Sequence, residues 1–170
     1  GMRGMGRLFQ GASTVNAVLK GDLIERAAEA GLRSLFIGFE SLSSDSLAFS
    51  NKQQNLGRDY DGVIRRLDSL GIKINGSFVF GLDGDTPDVF RRTVDWAVSH
   101  GITTATFHIA TPYPGTAYYQ QMQAEQRLLH QDWDQYDTRH VVFQPKGMSR
   151  EQLQTGYEWA YREFYTWGNI

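Results

Sequence analysis

The sequence predicts an α/β protein of about four βα units followed by a C-terminal helical extension. Short apolar runs rich in β-branched and aromatic residues begin near residues 7, 34, 72 and 104, a spacing close to the ~30 residues of a βα unit. Each run precedes a longer stretch with apolar residues at helical spacing, and three of those stretches stop at a glycine, Gly31, Gly71 and Gly101. Alternation of this kind argues for a parallel sheet. Two architectures satisfy it, an open doubly wound sheet and part of a (βα) barrel. A complete eight-unit barrel takes about 250 residues, so 170 residues supply only part of one.

The elements follow in order. Arg7 to Ser13 is a weak strand, and Asp22 to Ala30 a helix with Leu23, Ala27 and Ala30 on one face. Ser34 to Glu40, "SLFIGFE", has the unbroken apolar character of a buried parallel strand. "SSDSLAFS" reads as a short helix, "NKQQNLGRDY" as a polar connection, and Asp59 or Tyr60 to Leu70 as a helix. Ile72 to Phe80 is the third strand. Thr86-Pro87 supplies an N-cap with proline in the first helical position, opening a helix to Gly101. Thr103 to Ala110 is the fourth strand, "TPYPGT" a stiff loop open to a cis proline bond, and Thr116 to Leu128 a helix. Arg139 to Phe143 offers a fifth strand, and Ser149-x-x-Gln152 is a capping box opening a last helix to about Trp167. The barrel unit is placed at 1–128 and the extension, packed on it, at 129–170.

Composition excludes several classes. Net charge is −2 with both signs interleaved, so no basic stripe points to nucleic acid. The pairs Arg65/Arg66 and Arg91/Arg92 read as solvated helix faces. No apolar run approaches the ~20 residues of a membrane span, and the expected location is the cytoplasm. The chain contains no cysteine, which rules out disulfides and thiolate-held metals within it.

In either architecture ligands bind at the C-terminal ends of the strands. Those ends carry Ser13 and Asn16, Glu40 and Ser41, Asp83, Asp85 and Thr86, and His108, Thr111 and Tyr113. In "GFES", Gly38 lets a ligand approach and Glu40 can accept hydrogen bonds from ammonium or hydroxyl groups. The plainer reading pairs Glu40 with a cation and uses Ser41 to start a helix. In "FVFGLDGDTP", Phe78, Val79 and Phe80 are apolar enough to line a flat pocket, and Gly81 and Gly84 permit close approach. The plainer reading is a tight turn in which Asp85 or Thr86 caps the next helix. Glu40, Asp83 and Asp85 with His108 also have the ligand types of a divalent-metal site, without a supporting short spacing. His108 reads as an interior residue.

The order of these pieces is more specific than any one of them. "GLRSLFIGFESLSSDSLAFSNK", then "LGIKINGSFVFGLDGDTPDVFRRTVDWA", then "ATPYPGTAYYQQM" resembles radical S-adenosylmethionine (SAM) enzymes, in particular the cobalamin-associated group. "QDWDQYDTRHVVFQPKGMSREQL" resembles that group's C-terminal extension. The resemblance implies a partial, TIM-like (βα) barrel and reductive cleavage of SAM at a [4Fe–4S] cluster to a deoxyadenosyl radical. It implies SAM contacts at Glu40 and Ser41 for the amino-acid or ribose part, at Val79, Phe80 and Gly81 beside the adenine, and at Thr111 on the sixth-strand end. The family's three cluster cysteines, CxxxCxxC, and its glycine-glycine-glutamate motif have no counterpart here, which places both upstream of residue 1.

Three functional expectations follow. The first is a fragment of a radical SAM oxidoreductase-like enzyme, without catalytic residues of its own and inactive alone. The second is a non-catalytic subunit that completes its barrel with a cysteine-bearing chain. The third is a metal-dependent barrel enzyme using Glu40, Asp83 and Asp85. A barrel that starts at residue 7 exposes a strand edge, so the expected partners are a second copy or the missing N-terminal half.

Overall fold

The computed structural model describes residues 6–41, 59–166 and 168–169. Four strands, β1 (Phe9–Ser13), β2 (Leu32–Glu40), β3 (Lys73–Phe80) and β4 (Thr104–Ile109), form one parallel sheet in the order β1-β2-β3-β4. Sequential order separates the two architectures. Right-handed crossovers between successive neighbours all fall on one side of the sheet, whereas a doubly wound sheet reverses direction and places helices on both. The sheet is a barrel segment.

The helices are α1 (Val15–Leu19), α2 (Leu23–Glu29), α3 (Tyr60–Ser69), α4 (Val89–Ser99), α5 (Ala117–Ala124) and α6 (Arg150–Phe164). Leu35, Ile37, Phe39, Ile74, Phe78, Phe80, Ala105, Phe107 and Ile109 alternate along the strands and are buried beneath the helical layer. Four phenylalanines run across it as a stacked ladder. Phe39 lies 5.5 Å from Phe78, Phe78 5.7 Å from Phe107, and Phe107 5.5 Å from Phe80, centroid to centroid. Trp96 of α4 meets Phe39 edge-on at 5.2 Å, the aromatic arrangement favoured by ring quadrupoles. Gly76 makes room for the ladder, since a Cβ there would sit 3.0 Å from the Phe78 ring.

The other face is open. The register places Gly38, Ser77 and Thr106 in one row, and Val79 beside His108 in the next. Ser77 is buried, but Ser34, Phe36, Asn75, Val79, Thr106 and His108 all retain solvent contact.

Caps confirm several helix starts. Asp59 accepts from the Gly62 amide at 2.7 Å, and Thr116 from the Tyr119 amide at 3.2 Å. The Ser149–Gln152 capping box is complete on both sides. Elsewhere the chain departs from expectation. Helix α1, capped by Thr14, was not foreseen. Helix α4 begins after Asp88, so Thr86 and Pro87 lie in the turn ahead of it rather than at its cap and first position. Helix α5 stops at Ala124, not Leu128, because Gln126 turns into the left-handed region (φ 55°) and the Arg127 amide closes on Met122. Arg139–Phe143 forms no strand, only an isolated antiparallel bridge from Phe143 to Leu128, since side chains of α6 occupy the edge beside β4. The last helix ends at Phe164. No peptide bond among the described residues is cis. The "SSDSLAFS" helix lies outside the described residues.

Arg66 is no solvated face residue. It grips Glu25 through two bonds of 2.7 and 2.8 Å and also donates to the carbonyls of Val18 and Gly21, tying α3 to the α1–α2 turn. Arg91 lies over the Trp159 ring, 5.6 Å from its centroid, joining α4 to α6.

Candidate functional site

The strand ends converge on one rim, and β2 delivers its most unusual residue there. Glu40 adopts φ 66° directly after a register shift between Gly38 and Glu40. Left-handed backbone at a non-glycine residue costs roughly 1–2 kcal/mol. The distortion folds the side chain back over its own strand, with Oε1 3.1 Å from where a Gly38 Cβ would stand. Gly38 is thus the space the Glu40 carboxylate occupies on the open face.

His108 of β4 faces the same region. Burial lowers its pKa from the ordinary 6.5, and the Glu40 charge pulls it partly back up. Its Nδ1 lies 3.1 Å from the Thr138 hydroxyl. Thr138 is itself left-handed, φ 66°, and its carbonyl accepts from the Ile109 amide at 2.7 Å. The extension is therefore pinned to the end of β4 at the point where it orients the imidazole. His108 is half-buried on the open face, not the interior residue its position suggested.

The other predicted residues divide. Val79 is half-buried on the open face next to His108. Phe78 and Phe80 point the opposite way into the core, Phe80 against Phe90 at 4.8 Å, so neither ring lines a pocket on the rim. The Phe80 carbonyl is taken by the Ala110 amide. Ser41, the next residue after Glu40, is buried. Gly81 (φ 90°) is buried beneath α6, and a Cβ there would lie 2.7 Å from a Leu153 methyl. The Thr111 hydroxyl donates to the Ile109 carbonyl at 3.0 Å.

The carboxylates of the "GLDGD" turn do not join Glu40. The Asp85 side chain accepts from the amides of Gly81 and Leu82 at 2.9 and 3.0 Å, so it closes its own turn instead of capping α4. Asp83 accepts from Arg127 at 2.7 Å and pairs with Lys146 at 2.8 Å. Burial alone would raise the Asp83 pKa, but those two cations outweigh it and hold the carboxyl below its ordinary 3.8. Arg127 also donates to Glu125 and to the Gln144 carbonyl, and hydrogen bonds from Arg127, Gln121 and Lys146 bring Glu125 down to about 2. Among the described residues no three acidic or histidine side chains could hold a metal. The metal-site alternative built on Glu40, Asp83 and Asp85 fails because two of its three members serve local structure.

Sequence reasoning missed Arg127, Lys146 and Thr138. A single arginine beyond a helix end has no local signature. The aromatic last third, with Tyr157, Tyr161 and Tyr165 at i, i+4, predicts a helix that covers the main core, but carries no sign of the strand edge it also meets.

No protein-family profile matches the chain. Over 97% of its length it is 36% identical to bacteriochlorophyllide d C-12(1)-methyltransferase of Chlorobaculum tepidum, covering 36% of that protein. It is 28% identical to the C-8(2)-methyltransferase of the same organism over 86% of its length, covering 33% of that protein. Hopanoid C-2 methylase of Rhodopseudomonas palustris is 26% identical over 71% of the chain, with 23% of that protein covered. Among solved structures, the radical SAM methyltransferase TsrM of Kitasatospora setae, determined with cobalamin and a [4Fe-4S] cluster, superposes with TM-score 0.50 at 20% identity. That match covers 58% of this chain and 19% of TsrM. Methanocaldococcus infernus Elp3 superposes with TM-score 0.56 at 11% identity over 96% of the chain and 42% of Elp3.

The chain is similar in sequence to these methyltransferases and in fold to solved radical SAM enzymes. It spans about a third of the length of the curated methyltransferases it matches first. The solved structures support the fold, a partial βα barrel. Among the described residues, no helix is long and apolar enough to cross a membrane.

Proposed function

We propose that this chain provides the second half of a radical SAM barrel and presents the amino-acid and ribose end of SAM to a tetrapyrrole substrate. The observation that carries the reading is Glu40: a strained backbone holds its carboxylate over Gly38, on the open face, beside His108. Strain kept at a strand end is a mark of functional placement. SAM offers an ammonium and ribose hydroxyls, which are donors suited to that carboxylate. Val79 gives a purine an apolar contact in the same row as His108. When bound, SAM supplies the methyl or deoxyadenosyl group. The tetrapyrrole class comes from the relatives named as bacteriochlorophyllide methyltransferases.

The residues present do not fit an iron–sulfur cluster. The sequence has no cysteine, and the described residues hold no three-ligand group. We assign the cluster to a cysteine-bearing segment or chain that completes the barrel. The outer side of β1 has no strand partner among the described residues, and Leu8 and Leu23 stand 75% and 63% exposed nearby in sequence. An edge of this kind accepts another strand, from that cysteine-bearing half or from a second copy of the chain.

Calorimetric titration with SAM tests the site. Saturable heat in the wild-type chain that disappears in Glu40→Ala supports it. Equal binding by both proteins, or none by the wild type at millimolar SAM, refutes it. Light scattering tests the edge: a monomer at micromolar concentration that stays monomeric when mixed with the cysteine-bearing half removes the partner assignment.

A further inference from the structure

A groove of about 630 Å³ runs between the end of β4 and α6, lined in part by His108, Thr138, Arg139, Tyr157, Glu158 and Arg162. Its volume is that of a small-molecule pocket. His108, which stands in the open-face row beside Val79, also lines the groove.

The groove's charge is unbalanced. Arg139 and Arg162 both line it, against one acid, Glu158. Glu158 precedes Arg162 by four residues, the spacing at which a helical ion pair forms readily. Yet Glu158 accepts from Gln154 at 3.2 Å instead. Asp137, the acid nearest Arg139 in sequence, is taken by His140 at 3.0 Å. Among the described residues no carboxylate lies within ion-pair distance of either guanidinium. The planar fork of an arginine matches a carboxylate through two parallel bonds. Tyr157 and Tyr161 add flat apolar wall beside the two forks.

We propose that this groove is a substrate-anchoring site for a carboxylate-bearing planar ligand, gripped at its acid groups by Arg139 and Arg162. The inference rests on the reading that substrate approaches the open face at His108. It deepens that reading by selecting a tetrapyrrole with free acid side chains over a hydrocarbon skeleton, which two guanidiniums without a carboxylate partner, one of them bonded to the Tyr157 hydroxyl, would not attract.

The test is fluorescence titration of the chain with protoporphyrin IX, which carries two propionic acids, and with its dimethyl ester. The expected result is tighter binding of the acid than the ester by about tenfold, the effect of one charge-assisted contact. Arg139→Gln and Arg162→Gln each weaken the acid by a similar factor and leave the ester unchanged. Added salt weakens the acid alone. Equal affinity for acid and ester, unaltered acid binding in the double variant, or no saturable binding of the acid overturns the proposal. Both arginines are exposed, so thermal unfolding of the variants should match the wild type. SAM calorimetry on the double variant separates the two readings. Retained SAM heat with lost acid selectivity places the defect in the groove. Absent SAM heat in the wild type removes the SAM reading, while the porphyrin titration still decides the groove.

Discussion

The Tyr161 hydroxyl bonds to both polar groups of Phe107, 3.1 Å from its amide nitrogen and 3.1 Å from its carbonyl oxygen. Tyr165 repeats the contact on Ala105, at 3.1 and 2.8 Å. Four residues of helix advance about 6.0 Å and two residues of strand about 6.6 Å, so the two spacings nearly coincide. A row of tyrosines on α6 therefore stands where the next strand would pair. The Thr138 carbonyl completes the edge at Ile109.

Removing one of these hydroxyls leaves an amide and a carbonyl without their partner. Tyr161→Phe should cost about 1–3 kcal/mol, measured by urea unfolding. Tyr165→Phe should cost less, because Tyr165 is 42% exposed and water can replace it. Equal, negligible losses from both would mean that the tyrosines do not protect the edge.

The Asp83–Arg127–Lys146–Glu125 cluster predicts an acid-sensitive extension. Both carboxyls sit below their ordinary 3.8 and 4.5 in the folded chain. The unfolded chain therefore binds protons first, and the cluster's contribution is complete above about pH 5. It is lost as pH falls through those ordinary values toward about 2 for Glu125. Arg127→Met should cost about 3 kcal/mol at neutral pH, since Asp83 stays buried with only Lys146 beside it. The variant should also show a shallower acid slope. An acid limb identical to wild type would contradict the assignment.

The two glycines of the site should separate fold from function. Gly81→Ala meets both a positive φ and a Leu153 methyl 2.7 Å away, so it should destabilise by about 2 kcal/mol or more. Gly38→Ala meets only the tip of Glu40. It should leave unfolding nearly unchanged and weaken SAM binding by displacing the carboxylate. Thermal melts with SAM calorimetry on both variants check this, and the reverse pattern would exchange the roles of the two positions.

Much of this was legible in the chain because it is local. The capping box at Ser149, the Asp59 cap and the four strands each follow from residues adjacent in sequence. Ring direction at Phe78 and Phe80 also follows from strand alternation once Val79 is placed on the open face. The rest depends on distant partners. Arg127 is 44 residues from Asp83 and Tyr161 is 54 from Phe107, and no periodicity encodes such pairs. The extension's tyrosines bond to a strand edge that aromatic spacing on a helix does not encode.

The pull of the Glu40 charge on His108 gives the sharpest test of the site. Burial holds the His108 pKa below 6.5, and the Glu40 charge opposes that shift. Glu40→Gln removes the opposing charge, so the His108 pKa should fall further, read from its ring proton in an NMR titration. The sign also fixes a stability slope. The unfolded chain protonates this histidine more readily, so stability rises with pH across the window below 6.5 and is lost as pH falls through it. His108→Gln should flatten that part of the profile. A His108 pKa unmoved by Glu40→Gln would separate the two residues and remove the central support for a SAM site at this rim.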